Sequence, residues 1–310
     1  MTLPHTHPHT PASIRMTTRR MALALMITLL FVVVEVGAGI LANSLALLTD
    51  AAHNLTDVIA LALSWYAIRL TLRPANSGKT YGYHRAGILI ALFNSTTLVI
   101  IALGIFYEAY QRLINPPEVE AGLMTVVAAI AFVVNVVTAW LVRPGSDHDL
   151  NQRSAFIHLA GDALSTLGAL IAGVLIMLTG WYILDPMVSV LIGFLIVWNA
   201  WLIIRESVEI LLESTPRDID MDVMVEDIQQ MPGVRGVHDL HVWSITRNMR
   251  ALSAHVLVDD EPISVGAGIQ RQINEVLTQQ YNVAHATLQL ECVGCEPDTL
   301  YCELNSINHG

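Results

Sequence analysis

Apolar positions in the first two-thirds of the chain fall in long runs, not in the alternation of a half-buried strand or the one-sided stripe of a water-facing helix. Six runs, 19–41, 45–72, 84–112, 121–142, 154–179 and 184–209, reach the roughly 20 residues that a helix needs to cross about 30 Å of hydrocarbon. The pattern predicts six transmembrane helices. The breaks are short and carry turn chemistry: Asn43-Ser44, Pro74 to Gly78, Asn115-Pro116-Pro117, Pro144-Gly145, and Thr179-Gly180 ahead of Asp185-Pro186.

Beyond residue 212 the pattern changes. Residues 219–231 have helical spacing and end at Pro232-Gly233; 237–245 and 251–258 are β-rich runs around a turn at Arg247-Asn248; 263–281 is helical after Pro262; 284–290 is a last strand. The order α-β-β-α-β predicts a small α+β domain of ferredoxin or metallochaperone type, with helices on one face of a three-stranded sheet. The expected organisation is a His-containing tail at 1–18, a six-helix transmembrane domain at 19–212 and a C-terminal domain at 213–310.

Composition agrees with a bilayer as solvent: 54% of the 310 residues are apolar and only 14% charged, against about 25% charged in soluble domains. Residues 1–212 carry 11 basic and 12 acidic residues, whereas 213–310 carry 5 and 15, so nearly all of the formal charge of −11 sits in the last third. So acidic a domain is excluded as a nucleic-acid binder and suits cations. Lys and Arg favour cytoplasmic loops. Arg15, Arg19 and Arg20, then Arg69, Arg73, Lys79 and Arg85, then Arg143 and Arg153, and finally Arg205 all fall on one side, and only Arg112 lies on the other. Both termini are therefore expected in the cytoplasm, in a multi-pass protein of the cytoplasmic (inner) membrane. The first run is too long for a cleavable signal peptide and lacks a small-residue cleavage pattern. All three cysteines lie between 292 and 302, which fits a reducing compartment.

Ionisable residues inside spans cost about 2.5–3.5 kcal/mol each on insertion scales and mark function by default. His53 and Asp57 share the second run, and His158 and Asp162 share the fifth. Each pair has i, i+4 spacing, which puts both side chains on one helix face. One such pair alone is better explained by a buried hydrogen bond or a packing contact. Two identical pairs on spans of opposite direction point instead to a four-ligand site of two imidazoles and two carboxylates, a donor set that suits tetrahedral Zn²⁺ and cancels its charge. Asp50, a turn before His53, is placed to pass metal or protons onward or to bond between helices. Glu35, Asn94 and Asn135 read as packing or pathway residues.

Five segments carry a family resemblance: S-L-A-L-L-T-D-A-A-H-N-L-T-D at 44–57, Y-G-Y-H-R-A-G-I-L at 81–89, L-N-Q-R-S-A-F-I-H-L-A-G-D at 150–162, V-H-D-L-H-V-W-S-I at 237–245 and H-A-T-L-Q-L-E at 285–291. They resemble the cation diffusion facilitators, and within them the bacterial zinc exporters of the ZitB type and the related animal ZnT transporters. The resemblance implies a homodimer that exchanges cytoplasmic Zn²⁺ for H⁺, with the transport site at His53, Asp57, His158 and Asp162. His53, at the first position of its motif, implies preference for zinc with cadmium as the competitor. Arg85 and Glu213 match a charge pair that ties the third and sixth helices together in the family.

The resemblance also implies cytoplasmic zinc sites, at His238, His255, His285 and Glu291, with ordinary polar residues on a strand face as the alternative. His241 reads as structural. Cys292, Cys295 and Cys302 combine C-x-x-C with a third thiol, either a thiolate zinc site or free thiols. His5, His7 and His9 are a loose zinc collector or incidental. The brief segment from Arg143 to Arg153 has only His148, unlike the long His-rich loop of many eukaryotic relatives. No H-E-x-x-H motif is present, which excludes the metalloprotease class built on it, and the resemblance implies a secondary active transporter, not an enzyme. The rivals are a membrane-bound divalent-metal sensor, a channel, or a carrier of Co²⁺, Ni²⁺, Fe²⁺ or Mn²⁺.

Overall fold

The computed structural model describes residues 29–142, 150–247 and 249–292, with the side chains of residues 64, 141–142 and 150–159 outside the description. The tail with His5, His7 and His9, the segment 143–149, Cys295 and Cys302 lie outside the described residues. Packing divides the chain into two compact units, one of residues up to 65 with 93–203 and one of 66–92 with 204–310.

Helix α1 (Leu29–Leu41) meets α2 (Leu45–Thr71) across the turn expected at Asn43-Ser44. Asn43 takes a left-handed φ of 51°, and the N–H groups of Asn43 and Ser44 donate to the carbonyls of Ile40 and Gly39 at 3.2 and 3.0 Å, which closes α1 in a Schellman motif. Ser44 then caps α2, its Oγ accepting from the Leu47 N–H at 3.3 Å. Helices α3 (Ala86–Ile114), α4 (Ala121–Val142), α5 (Leu150–Thr179) and α6 (Leu184–Leu211) follow. Among the described residues α2 to α6 are long and apolar enough to cross a membrane, and the described part of α1 is shorter and apolar.

Small side chains set the helix contacts. Ala38, Ala42, Ala46, Ala128, Ala169 and Ala172 are buried with Leu47, Met124 and Ile176 where α1, α2, α4 and α5 pack. Helices approach closely at the alanines, where only a methyl stands between them, and the larger side chains fill the space beside them. Leu98 and Ala102 of α3 pack on Ile192, Ile196 and Ala200 of α6. Large apolar side chains such as Ile100, Leu103, Trp140, Leu178 and Trp198 point outward, the arrangement of a multi-pass membrane protein whose outer surface faces lipid.

In the second unit, α7 (Met221–Gln229), β1 (Val234–Thr246), β2 (Met249–Val258), α8 (Ile263–Tyr281) and β3 (Val283–Cys292) follow in the expected order. The sheet order is β1-β2-β3; β1 and β2 are antiparallel and β2 and β3 parallel, so α8 is the crossover that parallel pairing requires. Leu252, Ala254, Val256 and Val258 alternate along β2 and are buried with Met224 and Ile228 of α7 and Ile269, Ile273 and Leu277 of α8. The period of two therefore turns His255 to the sheet face away from the helices.

Candidate metal centre

Helix α2 carries His53 and Asp57 one turn apart, and α5 brings Asp162 against them. His53 Nε2 lies 3.2 Å from Asp162 Oδ1 and 3.7 Å from Asp57 Oδ2. His53 and Asp162 are buried and Asp57 is half-buried. One donor atom from each falls within 4.8 Å of the others. Tetrahedral zinc with bonds of about 2.0–2.1 Å separates neighbouring donors by about 3.3 Å, so an imidazole and two carboxylates at these distances can close on one ion. His158 lies one turn before Asp162 in α5, and its side chain is outside the described residues.

Beside this group, Glu35 of α1 and Asp50 of α2 are almost wholly buried. Asn54 Nδ2 donates to both, at 3.0 Å to Glu35 Oε2 and 3.4 Å to Asp50 Oδ2. Glu35 Oε1 and Asp50 Oδ1 have no hydrogen-bond partner among the described residues. The acidic character of the bundle interior thus extends from Asp162 through His53 to α1.

A second group lies on the open face of the sheet. His238 of β1 stands opposite His255 of β2 in the antiparallel register, with ring centroids 5.1 Å apart. Glu291 of β3 reaches between them, Oε2 3.0 Å from His238 Nε2 and Oε1 2.9 Å from His255 Nδ1. These donors also lie within 4.8 Å of one another. Burial pulls the Glu291 carboxyl upward, but contacts from His238 and Gln289 and the charges of both histidines outweigh it and hold the group below the usual glutamate range. A bulge between His238 and His241 sets Asp239 at a left-handed φ of 47°. It lies 3.0 Å from His241 Nε2 and 3.6 Å from His255 Nε2.

His285 does not join this group. It pairs with Ala251 in the register, whereas Glu291 pairs with Leu257, so it lies about 20 Å away along the strand. Its ring packs edge-on against Tyr81 at 6.0 Å. Cys292 is an exposed free thiol at the end of β3. Arg85 Nη2 donates to Glu213 Oε1 at 2.9 Å, which forms the pair expected between the ends of α3 and α6.

Two carboxylates escaped the sequence reading. Asp239 gave no signal, because a bulge depends on pairing. Asp185 reads as turn chemistry before Pro186, yet it is fully buried against the start of α2. An acid-proline pair opening an apolar run was the available hint.

The chain matches the family model for the cation efflux transmembrane domain over residues 21–212 and that for the cation efflux protein cytoplasmic domain over 216–293. It is 36% identical over 306 residues to the zinc transporter ZitB of Escherichia coli, covering 97% of this chain and 96% of that one. It is 35% identical over 292 residues to the metal cation efflux system protein CzcD of Cupriavidus metallidurans, covering 94% and 91%. A cadmium, cobalt and zinc/H(+)-K(+) antiporter of Bacillus subtilis is 39% identical over 264 residues, covering 84% and 85%.

Proposed function

The chain belongs to the cation efflux family of metal transporters, and from that premise we propose that it exports Zn²⁺ from the cytoplasm in exchange for protons. The observation that carries this reading is the convergence of His53, Asp57 and Asp162 inside the apolar bundle; the proposal takes His158, four positions before Asp162 in sequence, as the fourth ligand. The ion loads from the cytoplasm when the imidazoles are neutral and the carboxylates ionised. The bundle then turns the site outward, and protons displace the metal because metal and H⁺ compete for the same lone pairs. Both termini face the cytoplasm.

The acidic C-terminal domain binds zinc at His238, His255 and Glu291 as a regulatory or stabilising ion, and the chain works as a homodimer in the cytoplasmic membrane. Cys292, Cys295 and Cys302 are a separate thiolate candidate. A second reading, a carrier open to cadmium and cobalt as well, is supported by the name of the Bacillus relative. Metal uptake into proteoliposomes with an imposed pH gradient tests both. Zinc uptake that follows the gradient supports the antiport, flux indifferent to the gradient sinks it, and equal rates for zinc, cadmium and cobalt favour the broader carrier.

A further inference from the structure

A carboxylate of α6 closes the start of α2. Asp185 is fully buried; its Oδ2 accepts from the Leu45 N–H at 2.7 Å, and its Oδ1 accepts from the Ala46 N–H at 3.1 Å and from the Ser44 hydroxyl at 2.6 Å. With the Leu47 N–H on Ser44 Oγ, the first three N–H groups of α2 all have acceptors. Two of these acceptors come from a residue about 140 positions away. The negative charge also faces the positive end of the helix dipole.

Arg112 of α3 joins the same cluster. It stands 3.9 Å from Asp185 Oδ2 and donates to the Asn43 carbonyl at 2.7 Å and to Glu108 Oε1 at 2.9 Å. Arg112 is the one basic residue that departs from the cytoplasmic bias of the others, and these acceptors explain why it is held there. Elsewhere α2 packs with α1, α4 and α5, with Leu184 and Val188 at the start of α6 set against that cluster, while the rest of the α6 contact is with α3. Asp185 is thus a polar link between two helix groups.

We propose that Asp185 is a positioning residue for transport, one that fixes the depth and rotation of α2 and thereby sets the zinc affinity of the site. The inference rests on the transport-site reading above. His53 lies seven positions after Ala46, about 10 Å of continuous helix, so a displacement at the cap carries along the helix to the ligand. A slide by one residue moves His53 by about 1.5 Å, enough to open its 3.2 Å approach to Asp162.

Asp185→Asn keeps the volume and one acceptor oxygen but removes the charge and the second acceptor. In full-length protein in proteoliposomes the expected result is a rise of about tenfold in half-saturating zinc concentration, with maximal rate per folded protein within about twofold. Equilibrium zinc binding to the purified protein should weaken by the same factor, whereas simple loss of folded protein lowers only the amplitude. Glu108→Gln strips Arg112 of a partner without touching α2 and should leave the half-saturating concentration unchanged. If Asp185→Asn fails to fold, Ser44→Ala removes one of the three donors to the carboxylate and should raise that concentration about two- to threefold. An unchanged value in whichever variant folds overturns the proposal. Asp57→Ala in parallel separates the two failures: persistent zinc uptake there defeats the transport-site reading itself, while loss of uptake beside wild-type affinity at Asp185 and Ser44 defeats only the positioning role.

Discussion

His53 and Asp162 meet at 3.2 Å although 109 residues separate them in sequence, and their contact joins α2 to α5 inside the apolar bundle. Neither residue is accounted for by helix packing, since an alanine at either site would pack without the cost of desolvating an ionisable group.

Asp57→Asn and Asp162→Asn should each lower zinc uptake by at least about 100-fold, more than the 10- to 100-fold loss typical of residues that only support a ligand. His53→Asp should keep transport while narrowing the preference for zinc over cadmium, because a carboxylate replaces the nitrogen donor. Uptake of both metals by the three variants, normalised to reconstituted protein, measures this directly. Wild-type rates in both asparagine variants would remove these residues from the site.

The cytoplasmic group predicts a stability effect. With zinc at about 100 times its dissociation constant, binding to the folded state alone adds about 2.7 kcal/mol. Glu291→Gln removes the group that reaches both His238 and His255 and should abolish most of the zinc-dependent rise in melting temperature of the purified protein. His285→Ala, remote from the group in the strand register, should preserve it. Equal losses in the two variants would count against the assignment.

The spans, the strand order and the placing of His53 and Asp57 on one helix face were legible because each follows from local arithmetic: run length against bilayer thickness, alternation against the sheet, and i, i+4 against one helix face. Long-range geometry was not. His285 and Glu291 look like partners in sequence, but on a strand six residues is a long separation. Asp185 resembles an ordinary turn residue until α2 is brought to it, since a cap supplied from another helix leaves no periodic trace. The family resemblance supplied the Arg85 and Glu213 pairing, which spacing alone did not reach.

Close packing of α4 against α5 is exposed at Gly173. A Cβ there would stand 2.6 Å from Thr125 Oγ1 and 3.3 Å from the Thr125 backbone. The hydroxyl can rotate away but the backbone cannot, so Gly173→Ala should cost about 1–3 kcal/mol by overpacking. Since α5 carries Asp162, transport should fall along with thermal stability in detergent. Gly37, with nothing within 4 Å of an added Cβ, is the control, and Gly37→Ala should not lower the melting temperature.

Alkaline pH should weaken the cytoplasmic domain through one tyrosine. The Tyr281 hydroxyl donates to Asp227 Oδ2 at 2.6 Å. Burial, then the hydrogen bond to Asp227 and the charges of Asp227 and Asp220, push the phenol up to about 12. Below the ordinary phenol value of about 10 the folded and unfolded chains both keep the proton, and the stabilisation is fully present. Between about 10 and about 12 the unfolded chain loses the proton while the folded one retains it, so stability falls as pH rises through that window. Phenolate absorbance should show one tyrosine titrating late in the native protein and normally in denaturant. Tyr281→Phe should remove that late step and flatten the alkaline slope of the unfolding free energy, and an unaltered slope would place the sensitivity elsewhere.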